Sequence, residues 1–489
     1  ENPTANQVLG TLDGSTNKGT ASFSLLSEVP TGSFTIDATT GELFVKDNSL
    51  YTLATNPKLT GTFEVKNGNQ TTNCTITITL KDTSSSDIPD CGEDPDYTKV
   101  YDGGVQLKVQ EDIDTFTASG WTEVTGRILI SGGTITDLSG LRSLTKVGEL
   151  SIWRLTLPDL SGLCNLQEIT GGLEIQSNSG LTSLKGLERL KSIGSELELS
   201  SNSQLADISA LSNLELVGYS SGGSFEYQNI TIESNPKLLS LNGLDKITET
   251  RELRIQENTG LTSLSGVAGI KNAKNVFIEN NAALVSLSDL KLETLTGKLV
   301  IDENSSLTST DINSLVSAAS IAINNNNALV TLTGFSNVTT LGGFSMYKNT
   351  KLVTISGFDA IISIGTGGTV NKFYVNDNQA LTTISGFTKL KSVKGGFGIN
   401  ECRKLTSISS FIIEDIEGSL TLAYTALTDL NGLENLTKVG PTVAIRKNPT
   451  LTGFCALKPL VSGTSFTGTW AIMDNSSNPT KADVIANCP

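Results

Sequence analysis

One asparagine, fixed within a leucine-rich phrase, returns along most of this chain. It stands at Asn178, Asn202, Asn235, Asn258, Asn281, Asn304, Asn326, Asn349, Asn378 and Asn448. The intervals up to Asn378 are 24, 33, 23, 23, 23, 22, 23 and 29 residues, so the unit is near 23. The phrase is L-x-[IL]-x-x-N-x-x-L-x-x-[LI]-x-G-[LF], and Leu173-x-Ile175-x-x-Asn178-x-x-Leu181-x-x-Leu184-x-Gly186-Leu187 carries it whole. A period of this length marks stacked coils, each leaning only on its neighbours. Length alone would suggest about three domains; the repeat, which runs from residue 126 onward, replaces that count with one long solenoid.

Each position has a physical task. A short strand turns two apolar side chains inward, such as Leu253 and Ile255, with outward residues between them. Stacked asparagines can satisfy the backbone of the turn that leaves the strand. In the segment Leu420-Thr-Leu-Ala-Tyr-Thr-Ala-Leu427 the phrase is one residue short, and the column residue is expected to be missing. Five or six apolar residues per coil cannot by themselves offset the ordering of a whole coil, so the ends need caps. Val105 to Leu107, a helix over Glu111 to Phe116, and Trp121 are expected at the first end. Cys455 and Cys488 flank the last, degenerate coil with Trp470, and are expected to be bonded. That bridge would contribute roughly 3–4 kcal/mol on the chain-entropy model and implies an oxidising compartment. Cys91 and Cys164 either pair or both stay free.

Residues 1–82 have a different grammar. Cys74, Ile76, Ile78 and Leu80 share one parity and Thr75, Thr77 and Thr79 the other, which predicts a half-buried strand with Cys74 in a core. Phe23-Ser-Leu25, Phe34-Thr-Ile36, Leu43-Phe-Val45 and Phe63-Glu-Val65 add strands between Gly and Pro turn signals, a β-sandwich pattern. Residues 83–97 are a polar, Pro/Gly-bearing linker, and the solenoid with its caps is expected over 98–489.

Composition then narrows the chemistry. The chain has no histidine, which removes His-based nucleophile systems and His-ligated metals. Its net charge of −15 argues against nucleic acid and anionic membrane surfaces. No cofactor, metal or catalytic residue is expected. The opening Glu1-Asn2-Pro3 has neither a charged start nor an apolar signal core, so a targeting segment is expected to be absent or removed.

Two outward columns are legible. The first runs Ser151, Glu174, Glu198, Thr231, Arg254, Phe277, Val300, Ala322, Ser345, Tyr374, Gly398, Thr421, Ala444. The second runs Trp153, Gln176, Ser200, Glu233, Gln256, Glu279, Asp302, Asn324, Tyr347, Asn376, Asn400, Ala423, Arg446. Tyr347 and Tyr374 beside Asn376 and Asn400 are what a peptide or sugar face would use, rings for contact area and amides for orientation. Outward strand positions also favour Tyr, Phe and Thr on packing grounds alone. Phe277 and the acids Glu233, Glu279 and Asp302 complete the candidate face; the acids read equally well as a solvated surface. Phe344, Phe373 and Phe397, and separately Phe335, Phe358, Phe387 and Phe411, are expected to be stacked core. Insertions at Gly218 to Gln228 and Gly365 to Val370 precede strands six coils apart, roughly 29 Å at ~4.8 Å per coil, too far to line one small pocket. The first, with Tyr219, Phe225 and Tyr227 among Gly and Ser, has the composition of a contact loop.

Phe34-Thr-Ile-Asp37-Ala-Thr-Thr40-Gly41-Glu-Leu43 resembles the Asp-x-x-Thr-Gly turn of the cadherin repeat, although Lys81-Asp82-Thr83-Ser84 departs from the calcium-binding run of that family. The repeats GLEIQSNSGLTSLKGLERLKSI and ELRIQENTGLTSLSGV are similar to leucine-rich repeats of the receptor L domain type. Such repeats accept Cys in the asparagine column, so the resemblance makes Cys402 a buried ladder residue. The whole chain looks like bacterial surface proteins that join such an array to Ig- or cadherin-like modules behind a lipid anchor. The resemblance implies a right-handed coil and an extracellular or bacterial cell-surface binding or adhesion protein, with a protein or glycan partner and membrane association only through an anchor outside this chain. A purely structural spacer and a carboxylate-dependent polysaccharide-active enzyme are the alternatives; the latter would use Glu233, Glu279 and Asp302 near Arg254.

Overall fold

A computed structural model describes residues 6–12, 20–51, 58–79, 91, 97–218, 228–365, 372–463 and 466–488. The chain divides into two compact units, Glu1–Ile88 and Pro89–Pro489.

The first unit has two three-stranded antiparallel sheets. One pairs Val8–Thr11 with Glu42–Val45 and Glu42–Val45 with Phe34–Ile36. The other pairs Ser22–Val29 with Lys58–Asn67 and Lys58–Asn67 with Gln70–Thr79. Phe34, Leu43, Val45, Tyr51, Leu59 and Phe63 form one core drawn from both sheets. The turn at Asp37 closes as the chemistry of Asp dictates. Its Oδ1 accepts from the backbone N–H groups of Thr39 and Thr40 at 2.8 and 2.7 Å, and Gly41 follows at φ +75°. Cys74, expected in the core, is a free thiol that packs against that core with Ile76 and Ile78 but is only half-buried. Its strand is the edge of its sheet, so one flank stays uncovered.

The second unit is a parallel β-solenoid of about 16 turns. The inward positions stay in register from rung to rung, Leu173 pairing with Leu197, Leu197 with Ile230, Ile230 with Leu253, and Leu253 with Val276. The register shifts, at Val147/Glu149, Ala273/Val276 and Leu295/Lys298, lie ahead of these positions. One turn buries Leu173, Ile175, Leu181, Leu184, Leu187, Leu190 and Ile193, none above 1% exposed. That is more apolar cover per coil than the five or six positions expected. Both phenylalanine columns are core. Phe358 and Phe387 stack at 4.7 Å, as do Phe373 and Phe397, and the columns interlock edge-to-face, with Phe373 and Phe411 5.5 Å apart.

The asparagines line up in file and are fully buried. Each joins three rungs. Asn258 Nδ2 donates to Ile232 O on the rung before, at 2.8 Å, while its backbone N–H donates to Asn281 Oδ1 on the rung after, at 3.1 Å. Every ladder residue is preceded by one in the left-handed region. Fourteen such residues, from Arg154 to Asp474, have φ between +52° and +59°, and this flip takes the chain out of the strand into the turn.

Two ladder positions differ from expectation. The short repeat does not lack a column residue: Thr425 fills it, donating both its N–H (2.9 Å) and its hydroxyl (2.7 Å) to Asn448 Oδ1. The missing residue lies after the column, because a hydroxyl can donate where an amide would. The file also runs one rung further than read, to Asn475, whose Nδ2 donates to Ile445 O at 2.8 Å. Asn478 Oδ1, from the same turn, accepts from Asn475 N and closes the series.

The ends are capped. Gln110–Thr117 is a helix that buries Ile113 and Phe116, and Tyr101 packs edge-on against both Phe116 and Trp121. Cys91, inside the expected linker, is bonded to Cys164. At the other end Cys455 and Cys488 are bonded, with Cα atoms 5.3 Å apart. Among the described residues, no helix is long and apolar enough to cross a membrane.

Candidate functional site

The outer face of the main sheet carries the candidate residues, and strand pairing places both expected columns in register. Arg254 lies opposite Phe277 and Gln256 opposite Glu279, Phe277 opposite Val300 and Glu279 opposite Asp302. Ser345 lies opposite Tyr374 and Tyr347 opposite Asn376, so the two tyrosines are diagonal neighbours on adjacent rungs.

A third outward column, not recognised in the sequence, borders the first. Pairing extends upstream of the first inward leucine: Arg127 lies opposite Glu149 and Glu252 opposite both Asn229 and Asn275. This column supplies the partners that decide the electrostatics. Arg254 donates to Glu252 at 3.0 Å and Glu279 at 3.2 Å while its guanidinium lies 4.2 Å from the centre of the Phe277 ring. Arg127 repeats the device, at 3.1 Å from Glu149 and 3.4 Å from Glu174, over the Trp153 ring at 4.9 Å. Charge and ring are consumed internally in both clusters.

The three acids do come together around Glu279. Burial pushes its carboxyl above the usual glutamate range, Arg254 opposes that, and Asp302, Glu303 and Glu233 add to it. Asp302 is held in turn, accepting from Asn325 Nδ2 at 2.8 Å. Phe277 is half-buried beneath Arg254 and offers little free ring.

The stretch around Tyr347 is arranged otherwise. Tyr347 is 43% exposed. Among the described residues, the side chains of Tyr347, Asn376 and Asn400 make no hydrogen bond or ion pair. Tyr374 is half-buried because its ring leans across the next rung: a Cβ on Gly398 would lie 2.7 Å from Tyr374 Cε2. Lys372 Nζ stands 5.5 Å from the centre of that ring. The contact loop expected at Tyr219, Phe225 and Tyr227 lies outside the described residues, as does 366–371.

Cys402 behaves as a small buried group, not a nucleophile. It is fully buried in the ladder, and desolvation pushes its thiol up to about 12. Among the described residues, no group of three or more His, Cys, Asp or Glu is placed to hold a metal ion.

The family model of the Receptor L domain matches residues 147–239 and, overlapping, 167–268. These matches cover the early rungs, from the strand that carries Trp153 to the turn after Arg254. No curated protein matches the chain.

Proposed function

We propose that the solenoid is a non-enzymatic binding module that presents the outer-sheet stretch around Tyr347 and Tyr374 to a protein partner at a cell surface, with the first unit as a cadherin-like spacer. The Receptor L domain match supports a ligand-binding, receptor-like role. The observation that carries the site is the contrast in satisfaction. An exposed ring and two amides with no internal partner sit on a rigid sheet, so they can be desolvated by a partner without breaking contacts made at home. The earlier aromatic positions, Trp153 and Phe277, are already covered by arginines.

The test is a screen of the full chain against arrays of extracellular proteins and of glycans, repeated with Tyr347→Ala and with Tyr374→Ala. A protein signal weakened by both substitutions supports the reading. A signal confined to glycans would transfer the face to sugars, and no signal on either array would leave the solenoid a spacer. Release of reducing ends from a polysaccharide, abolished by Glu279→Gln, would overturn the non-enzymatic reading.

A further inference from the structure

The short repeat leaves a notch in the turn ridge of the solenoid. In neighbouring rungs two residues separate the ladder position from the next core leucine, as in Cys402-Arg-Lys-Leu405 and Asn448-Pro-Thr-Leu451. Between Thr425 and Leu427 there is only Ala426. Leu427 is nonetheless fully buried, so the chain cuts the corner to keep its core contact. Ala426 alone therefore spans what Arg403-Lys404 and Pro449-Thr450 span in the rungs on either side. A cleft of about 320 Å³ opens there, lined by Arg403, Tyr424, Thr425, Lys447, Pro449 and Asp474, at the lower end of the size of small-ligand sites.

Its lining is rich in donors. Arg403 comes from the rung before Tyr424 and Lys447 from the rung after, with their charged groups 5.1 and 4.9 Å from the centre of the Tyr424 ring. Lys447 Nζ donates to the Tyr424 hydroxyl oxygen at 2.7 Å, which leaves the phenolic hydrogen free to donate outward. That bond also raises the Lys447 ammonium above its ordinary value, keeping it charged. Arg403 spends one nitrogen on Glu401 at 2.6 Å and keeps its other N–H groups. Asp474 is the single carboxylate of the lining.

We infer that this notch binds the carboxylate of an acidic side chain on a protein partner, held between Arg403 and Lys447 with the Tyr424 hydroxyl as third donor. Two cations and a hydroxyl converging on a cleft suit an anionic acceptor. Arg403 lies against the ring and Lys447 holds its hydroxyl edge, so the ring is committed to positioning the donors, which favours a peptide carboxylate over an acidic sugar that would stack on it. The notch borders the second outward column at Ala423 and lies beyond Asn400 on the rung before. It therefore adds the chemistry of one partner segment to the binding role proposed above, but can be tested without that partner.

The probe is a labelled octaglutamate peptide titrated with the full chain at low salt, with octaglutamine and an oligogalacturonate of equal charge as comparisons. A chain of net charge −15 repels such a peptide overall, so long-range attraction does not produce the signal. Octaglutamate is expected to bind and octaglutamine not. Lys447→Met and Arg403→Gln, both at exposed side chains, are each expected to weaken binding at least tenfold. Inserting one alanine between Thr425 and Ala426 should close the notch and lose binding too. If that insertion variant fails to fold, the two substitutions decide alone. Octaglutamate affinity unchanged by both substitutions, or oligogalacturonate bound more tightly than octaglutamate, overturns the inference. Loss of the Tyr347 signal on protein arrays would leave this result untouched, so the two readings fail separately.

Discussion

Two stretches of one solenoid, built on the same rung, treat their polar groups in opposite ways. From Arg127 to Asp302 the outer face closes on itself: Arg127 and Arg254 are each paired with two carboxylates and laid over a ring. The ladder is unbroken asparagine from Asn178 to Asn378, beneath most of this stretch and beneath the Tyr347 and Asn376 rungs as well. From Tyr347 onward the outer face leaves a ring and amides without internal partners, and the ladder passes through Cys402 and Thr425. The repeat fixes only the inward columns and the turn. Outward positions are free to stabilise the coil or to be left open for a partner, and this chain separates the two uses along its length.

The largest expected effect probes the ladder half of that contrast. Asn281 accepts from Asn258 N and donates to Ile255 O and Glu279 O. Asn281→Ala strands Asn258 N and takes a donor from Ile255 O, while Glu279 O keeps the Glu257 N–H. At about 1–3 kcal/mol for each buried group left unsatisfied, the loss is about 2–6 kcal/mol in all. Cys402 offers only a weak donor to the equivalent carbonyls, 3.9 Å from Val375 O and 3.4 Å from Asn400 O. Cys402→Asn is expected to gain about 1 kcal/mol, the net value of a hydrogen bond. Urea melts of both variants check the pair. No loss in Asn281→Ala, or a loss in Cys402→Asn, would show that packing and not the amide file holds the rungs.

How much of this was legible depends on how strictly a position is constrained. The inward leucines and the asparagine file were readable because one residue type recurs where only one chemistry fits. Strand register followed from them, since a one-residue slip would turn every side chain over. Thr425 was missed because a hydroxyl there does the work of an amide without looking like one. Asn475 was missed because the last interval, from Asn448, is 27 residues. The left-handed residue before each ladder position could not be read, since Arg, Ser, Glu, Lys, Tyr and Asp all occupy it. The third outward column was overlooked because its residues precede the strand phrase, yet Arg127, Glu149 and Glu252 decide which rings on the candidate face are already covered.

A second prediction addresses the open half. If Tyr347 is the uncovered ring, Tyr347→Ala should weaken a protein partner found by array about tenfold, roughly the 1.4 kcal/mol of a modest hot spot. Phe277→Ala, whose ring already carries Arg254, should change affinity less than about threefold on the same scale. Surface-immobilised titrations of the two variants give the ratio directly, and a larger loss in Phe277→Ala would reverse the assignment of open and closed stretches.

The smallest effect is a difference of sign. In the closed stretch, burial raises the Glu279 carboxyl above its unfolded value of 4.5, against the pull of Arg254. The folded state then holds its proton more tightly than the unfolded chain. Stability from this group is present below pH 4.5 and is lost as pH rises through the folded value. In the later stretch the exposed Glu417 is held below 4.5 by its hydrogen bond to Lys394. Its contribution is present above 4.5 and is lost as pH falls through the folded value. Replacing each by glutamine removes the titration while keeping the shape. Relative to the parent chain, Glu279→Gln should therefore gain in melting temperature between pH 3.5 and pH 7, and Glu417→Gln should lose. The second shift should be the smaller, because an exposed pair is screened by water and salt. Taking each variant's difference between the two pH values cancels whatever the amide itself adds, so shifts of the same sign would mean that Arg254 fully compensates the burial of Glu279 and that the closed stretch carries no internal electrostatic cost.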